Sequence, residues 1–396
     1  MKNNKKFKVW MVTRIDMCIM LAKYLNDKGL LVRWDSFIRL KKSAFLSIFF
    51  PHSKRILDDK IAKIPGNHYL PEIMSRALNF FKFKKSILFS DIILAKMARY
   101  NAPNNFDILH GQGPYSLESG ILAKKMGKKF IYEISGQMQK TRQRQLGPIY
   151  KKYNLNLDTG INYLQKRRVQ EAKIADAIIV PSKYLKKELC NMGYDKEKIY
   201  TYRHDSNLSK ELLTIKKITD KKKFIIIFVG EISIAKGLQH VISVQKNLQS
   251  LGLISELHIF GRDKHNFLKL DTDTFNIFFH GQVRKNILKK YYSKSDLLIL
   301  PSYTEGSPLV VFEAMAAALP VITTEESGSL VVHNHNGYIC KPDDEKKILY
   351  FVKKLINERD LCHKMGLISR KIYQKEMHIS YQEQVVNIYK KVLSKI

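Results

Sequence analysis

Two glutamates, Glu305 and Glu313, stand eight positions apart in the stretch "EGSPLVVFEAMAAALPVITT". From Pro308 to Ala318 every side chain except that of Glu313 is apolar. A helix built from such residues must bury most of its faces, and a buried carboxylate without a partner is costly. The spacing therefore predicts that something binds Glu313.

The flanking segments say where that binding takes place. "DLLILPS" (296–302) and "PVITT" (320–324) are short, continuous apolar runs of the kind that form strands covered on both faces. The segment between them reads as a helix, with Ser307 as N-cap, Pro308 at the first helical position, and Pro320 making Leu319 the helix end. Strand, helix and strand at this spacing form a βαβ crossover. The helix N-terminus and the loop "YTEG" then lie at the carboxyl end of a parallel sheet, where open sheets bind ligands and a helix N-terminus favours phosphate. Glu305 and Glu313 bracket that phosphate seat.

A chain of 396 residues exceeds the size at which single cores stop growing, so two domains are expected. The hydrophobic share of 45% suits packed cores and excludes a disordered chain. Four scattered cysteines (18, 190, 340 and 362) form neither a zinc pattern nor a disulfide framework, which fits a reducing cytosol. No apolar run is long enough to span a bilayer, and Arg14 and Asp16 interrupt the apolar part of the N-terminus, which argues against a signal peptide. The net charge of +33 is uneven: residues 1–100 carry +14 and residues 301–396 only +2. An anionic membrane surface, an acidic substrate or nucleic acid could each draw such a field, but the basic residues are diffuse and no nucleic-acid module is recognisable.

Along the chain, "KFIIIFVG", "SELHIFG" and "NIFFHG" read as strands, with helices at "GLQHVISVQKNLQSLG" and "RKNILKKYYSKS". The first half repeats the pattern more loosely, with strands at "KVWMVT", "FDILHG", "KFIYEIS", "DAIIVPS" and "KIYTYR". These segments predict an α/β protein of two Rossmann-like domains facing a cleft. The first spans residues 1–205, the second 206–375, and an amphipathic helix over 376–396 packs back toward the first. Residues 38–100 form an insertion in which phenylalanine and isoleucine alternate with lysine. It suits a helix in a membrane interface or an ordinary amphipathic helix with snorkelling lysines.

These residues resemble the retaining glycosyltransferases of the GT-B fold, glycosyltransferase family 4. The resemblance is strongest in "FVGEISIAKG", "FHGQV", "SDLLILPSYTEGSPLVVFEAMAAALPVITT" and "HNGYICKPDD". It implies a nucleotide-diphosphate sugar as donor, a UDP-sugar slightly favoured, with no metal and no other cofactor. Glu313 would accept from the ribose diol, Glu305 would face the sugar, and Lys236 would place its ammonium on the leaving phosphate. Backbone groups at Gly306, Ser307, Pro308 and Leu309 would hold the diphosphate, Pro308 having no N–H to give. Gly230 and Arg262 would flank the diphosphate, and Val283 would meet the base. On the acceptor side the candidates are His110, Glu133 and Arg14.

The sequence also departs from the family pattern. Glu231 stands where an arginine is usual, Ser135 where a histidine is usual, "MVTRIDMC" lacks a glycine-rich loop, and Ala318 replaces a glycine. The leading expectation is a cytoplasmic enzyme, peripheral on the inner face of the cell membrane. It would move a sugar onto a lipid-linked or polysaccharide acceptor of a bacterial surface glycan such as lipopolysaccharide, O-antigen or capsule. The alternative is a degenerate member that binds nucleotide or carbohydrate without transfer.

Overall fold

The computed structural model describes residues 6–395 except 14, 38, 42–55, 58, 72, 75–76, 78–85, 159, 219–221 and 264–274. Two parallel sheets form its frame. The first begins with β1 (Val9–Val12) and β2 (Leu31–Phe37), and a small separate ladder pairs β3 (Leu40–Lys41) with β4 (Ile56–Leu57). It continues through β5 (Asn67–His68), β6 (Ile108–Gln112), β7 (Lys129–Glu133), β8 (Ala177–Val180) and β9 (Ile199–Thr201). Its order is β5-β2-β1-β6-β7-β8-β9. The second sheet holds β10 (Phe224–Val229), β11 (Ser255–Phe260), β12 (Ile277–Gly281), β13 (Leu297–Leu300), β14 (Val321–Thr323) and β15 (Gly337–Ile339), in the order β12-β11-β10-β13-β14-β15.

Both orders reverse beside the first strand of their sheet, at β1/β6 and at β10/β13, which is the doubly wound arrangement that opens a crevice at the strands' carboxyl ends. β1, β8, β10 and β13 are buried along their whole length, as continuous apolar runs require.

Strand β2 is absent from the sequence reading because Arg33, Asp35 and Ser36 interrupt its apolar residues. Tertiary partners explain these polar insertions. Asp35 is fully buried and accepts from Arg33 Nε at 2.9 Å and Trp10 Nε1 at 2.5 Å, and lies 2.6 Å from His68 Nε2.

The final helix, Tyr381–Leu393, opens on a capping box of Ser380 and Glu383. Val385, Val386, Ile388, Tyr389 and Val392 are buried, and all five join the core of the first sheet. Its two tyrosines reach a polar cluster inside that core. Glu133 accepts from Tyr202 at 2.6 Å and from Tyr381 at 2.8 Å, His110 Nε2 lies 3.1 Å from Glu133, and Tyr389 bonds His110 Nδ1 at 2.7 Å.

This arrangement corrects an expectation. His110 and Glu133 are 0% and 1% exposed. They hold the returning helix and are closed to an acceptor, because Tyr202, Tyr381 and Tyr389 cover them. Within the insertion, the helix Ser86–Tyr100 packs Leu94, Ala95 and Ala98 into the first core while Phe89 and Tyr100 stay exposed. The more strongly aromatic and basic stretches at 42–55 and 78–85 lie outside the described residues.

Burial pushes the Glu133 carboxyl up, but the His110 and Tyr202 hydrogen bonds and the nearby imidazoles outweigh it and hold the group below its ordinary 4.5. A depressed carboxylate stabilises the fold above its unfolded pKa, and that stabilisation is lost as pH falls through the folded value. Glu133→Gln should therefore cost about 1–3 kcal/mol near neutral pH, and its loss of stability below about pH 4.5 should be shallower than the wild type's. Thermal unfolding from neutral to acid pH checks this, and superimposable profiles for the two proteins would contradict it.

Candidate active site

The site is built at the carboxyl ends of β10 and β13. After β13 the chain passes through Ser302 and Tyr303 to Glu305, then enters the helix Leu309–Ala316. This helix starts one residue later than its sequence suggests. Pro308, with φ −74° and ψ 116°, is the N-cap, and no side chain caps the helix. Ser307 is therefore not the cap, and its buried Oγ has no hydrogen-bond partner among the described residues. At the other end Ala318 takes a left-handed φ of 57°, a conformation that favours glycine.

Glu313 lies in the second turn and is 7% exposed. Its carboxylate accepts from Ser206 Oγ at 2.9 Å and from Tyr292 OH at 3.1 Å. No described lysine or arginine lies within salt-bridge distance of it, although the field of Lys285 reaches it. Desolvation is the largest influence and raises the carboxyl above its ordinary value, while the two hydroxyls oppose the rise. Glu313 is thus an ionisable group held by exchangeable hydroxyls.

Glu305 has a different partner. Lys236 Nζ donates to Glu305 Oε1, and Ser302 Oγ approaches the same oxygen at 3.3 Å. Lys236 ends the short 3-10 turn Ile234–Lys236 that follows β10. Gly237 closes this turn at φ 73°, and a Cβ there would come within 2.3 Å of the Pro301 carbonyl, so the turn and the Glu305 loop can meet only with glycine at that position. Gly230, at the end of β10, faces open space.

The two domains touch beside this pair. A Cβ on Gly306 would stand 2.2 Å from the Ser135 carbonyl, and Thr304 donates to the Gln137 carboxamide. Leu146, Ile149 and Tyr150 of the helix Gln139–Lys152 pack against Ile234 and Tyr303. On the other side of this contact a cleft of about 600 Å³ opens. Ser307 and Leu309 line it from the helix start, Ser135 and Pro181 from the first domain, and His204 and Ser206 from the connector. Lys236 and Glu305 are not among its lining residues.

The remaining predicted residues are more peripheral. Val283, two residues beyond β12, is partly buried against the second core. Arg262 is exposed after β11, and its carbonyl accepts from Ile232 at 3.0 Å. Arg14 lies outside the described residues. Sequence reasoning missed Ser206, Tyr292 and His204. Ser206 also caps the connector helix Asn207–Leu212, so its one local signal, a serine before a helical run, gave no hint of a bond 107 residues away. His204 packs against the rings of Tyr202 and Tyr381, at 4.9 and 4.5 Å, with a buried Nε2 that has no partner among the described residues.

Comparisons with known proteins agree with this architecture. The family model for glycosyl transferases group 1 matches residues 209–372, and that for glycosyltransferase family 4 matches residues 47–202. The chain belongs to the family 4 glycosyltransferases and has the GT-B fold. An uncharacterised glycosyltransferase of Methanocaldococcus jannaschii is 26% identical over 233 residues, 54% of this chain and 59% of that protein. The capsular polysaccharide biosynthesis glycosyltransferase CapM of Staphylococcus aureus is 31% identical over 157 residues, 37% of this chain and 40% of CapM. The chain thus spans about half the length of these two curated relatives. The Anabaena protein HepE, solved with UDP, has the same fold, with a TM-score of 0.65 at 12% identity over 98% of this chain and 100% of that one.

The raised carboxyl of Glu313 has a measurable consequence. An acid whose folded value is raised costs the fold stability as pH rises from its unfolded value through its folded one, and the loss is complete above the latter. Glu313→Gln should leave the melting temperature of the unliganded protein at or above wild type near pH 7 and remove this advantage near pH 4. A drop in melting temperature at neutral pH would contradict the assignment.

Proposed function

We propose that this glycosyltransferase moves a sugar, with retention of configuration, from a nucleotide-diphosphate donor onto an acceptor of a bacterial surface glycan. The observation that carries the reading is Glu313, a carboxylate bonded among the described residues only to hydroxyls, one of which belongs to a cleft-lining serine. A ribose diol offers the same chemistry as Ser206 and can take its place without exposing a buried charge to an apolar wall.

The other residues follow from their positions. Lys236 and Glu305 neutralise each other in the free protein. An incoming diphosphate competes for the Lys236 ammonium, which frees Glu305 to accept from a sugar hydroxyl. As the glycosidic bond to the donor breaks, negative charge grows on the leaving phosphate, and Lys236 with the N-terminus of the Leu309–Ala316 helix stabilises it. Charge neutralisation by these groups supports a metal-independent reaction. The domain contact through Gly306 and Thr304 keeps water from the reacting carbon when the cleft is occupied.

UDP in a structural neighbour favours a UDP-sugar, and CapM's role in capsular polysaccharide favours a surface-glycan acceptor. No helix among the described residues is long and apolar enough to cross a membrane. The charge concentrated in the first hundred residues suits a peripheral position on the cytoplasmic leaflet, where a lipid-linked acceptor is held.

Glu305→Gln should lower transfer from a UDP-sugar by on the order of 10²-fold while UDP affinity changes far less. EDTA should leave wild-type turnover intact. Turnover of the variant within twofold of wild type would remove Glu305 from the mechanism, and binding without transfer in the wild type would favour a degenerate, non-catalytic member.

A further inference from the structure

A second cavity, of about 380 Å³, lies wholly within the first domain between the helices Gln139–Lys152 and Asn162–Ile174. Its floor is apolar and comes from Met138, Val169 and Met192. Its walls carry carboxamides in unusual number: Gln139 and Gln143 from one helix, and Asn162, Gln165 and Gln170 from the other. Lys140 and Lys166 complete the lining, which includes no acidic side chain.

Three physical features define what fits there. A carboxamide both donates and accepts, which matches a sugar hydroxyl that does the same, and five of them converge on a small volume. Among the described residues, Gln139, Gln143 and Gln170 have no intramolecular hydrogen-bond partner for these groups. The methionines and valine offer an apolar surface for the C–H face of a pyranose ring. The two lysines form no ion pair among the described residues, so the cavity presents uncompensated positive charge. Nothing aromatic lines it to stack a base.

Its position connects it to the reacting centre. Met138 follows Gln137 directly, and Gln137 accepts from Thr304, the neighbour of Glu305. The helix that forms one wall is the same one that packs on Ile234 beside Lys236.

We propose that the groove between these two helices is an acceptor subsite for an acidic saccharide, one carrying a carboxylate or a phosphate. This rests on the glycosyltransferase reading above and adds the class of acceptor. The carboxamides hold ring hydroxyls, and Lys140 and Lys166 select the acidic substituent.

The test is calorimetric titration of the full chain with three probes: maltotetraose, maltotetraose phosphate and a glucuronate-containing tetrasaccharide. At least one acidic probe should bind tenfold or more tightly than maltotetraose, and which one does so identifies the anion. Lys140→Ala with Lys166→Ala should abolish that preference, and Gln143→Ala with Gln170→Ala should weaken all binding tenfold. UDP titrated into the same proteins should give unchanged affinity, which also reports that the variants are folded. Equal binding of acidic and neutral probes by the wild type, or variants that bind as the wild type does, would overturn the subsite. Absence of UDP binding to the wild type would instead overturn the functional reading on which it rests.

Discussion

The structure is organised around one desolvated carboxylate. Glu313 sits in an almost wholly apolar helix, where burial opposes its charge. A lysine or arginine in contact would relieve that cost but would also occupy the group permanently. Two hydroxyls relieve it less completely and can be exchanged. Their sources explain much of the surrounding fold. Tyr292 is fully buried on the helix that follows β12, and Ser206 caps the connector helix between the domains. The helix that carries Glu313 and the junction of the two domains thus share a hydrogen bond.

The same economy governs the interdomain contact. The loop carrying Glu305 touches the first domain through backbone at Gly306 and through the Thr304 hydroxyl, with a small apolar cluster beside it. Such an interface is compact and specific but small, in the range where domains of one chain can shift relative to each other. A larger, fully buried apolar face, that of the Tyr381–Leu393 helix, anchors the chain terminus in the first domain. The start of that helix, at Ser380 and Tyr381, lines the same cleft as Ser307 and Leu309, so the firm anchor and the light contact meet at one groove.

Much of this was legible in the sequence because its signals are local. The continuous apolar runs at 223–230 and 296–302 can only be covered strands, and Glu313 is conspicuous against its neighbours. Strand β2 was not legible, since Asp35 in a strand looks like a loop residue until Trp10 and His68 are beside it. The helix start was misread by one residue for a related reason. Serine before proline has the composition of a cap, but here the extended ψ of Pro308 delays the first turn. His110 lies in the middle of β6 and Glu133 at the end of β7. That they face a returning helix depends on Tyr381 and Tyr389, whose arrival is a property of tertiary topology. Ser206 was hidden in the same way, by distance along the chain.

The central claim is that Glu313 remains bonded to hydroxyls so that it can accept from a nucleotide's ribose. Titration of the wild type and Glu313→Ala with UDP and with its 2′,3′-dideoxy analogue isolates that contact. The account predicts that removing the diol costs the wild type on the order of 10- to 100-fold in affinity and costs Glu313→Ala almost nothing. Equal affinity of the wild type for both nucleotides, or the same penalty in both proteins, would contradict it.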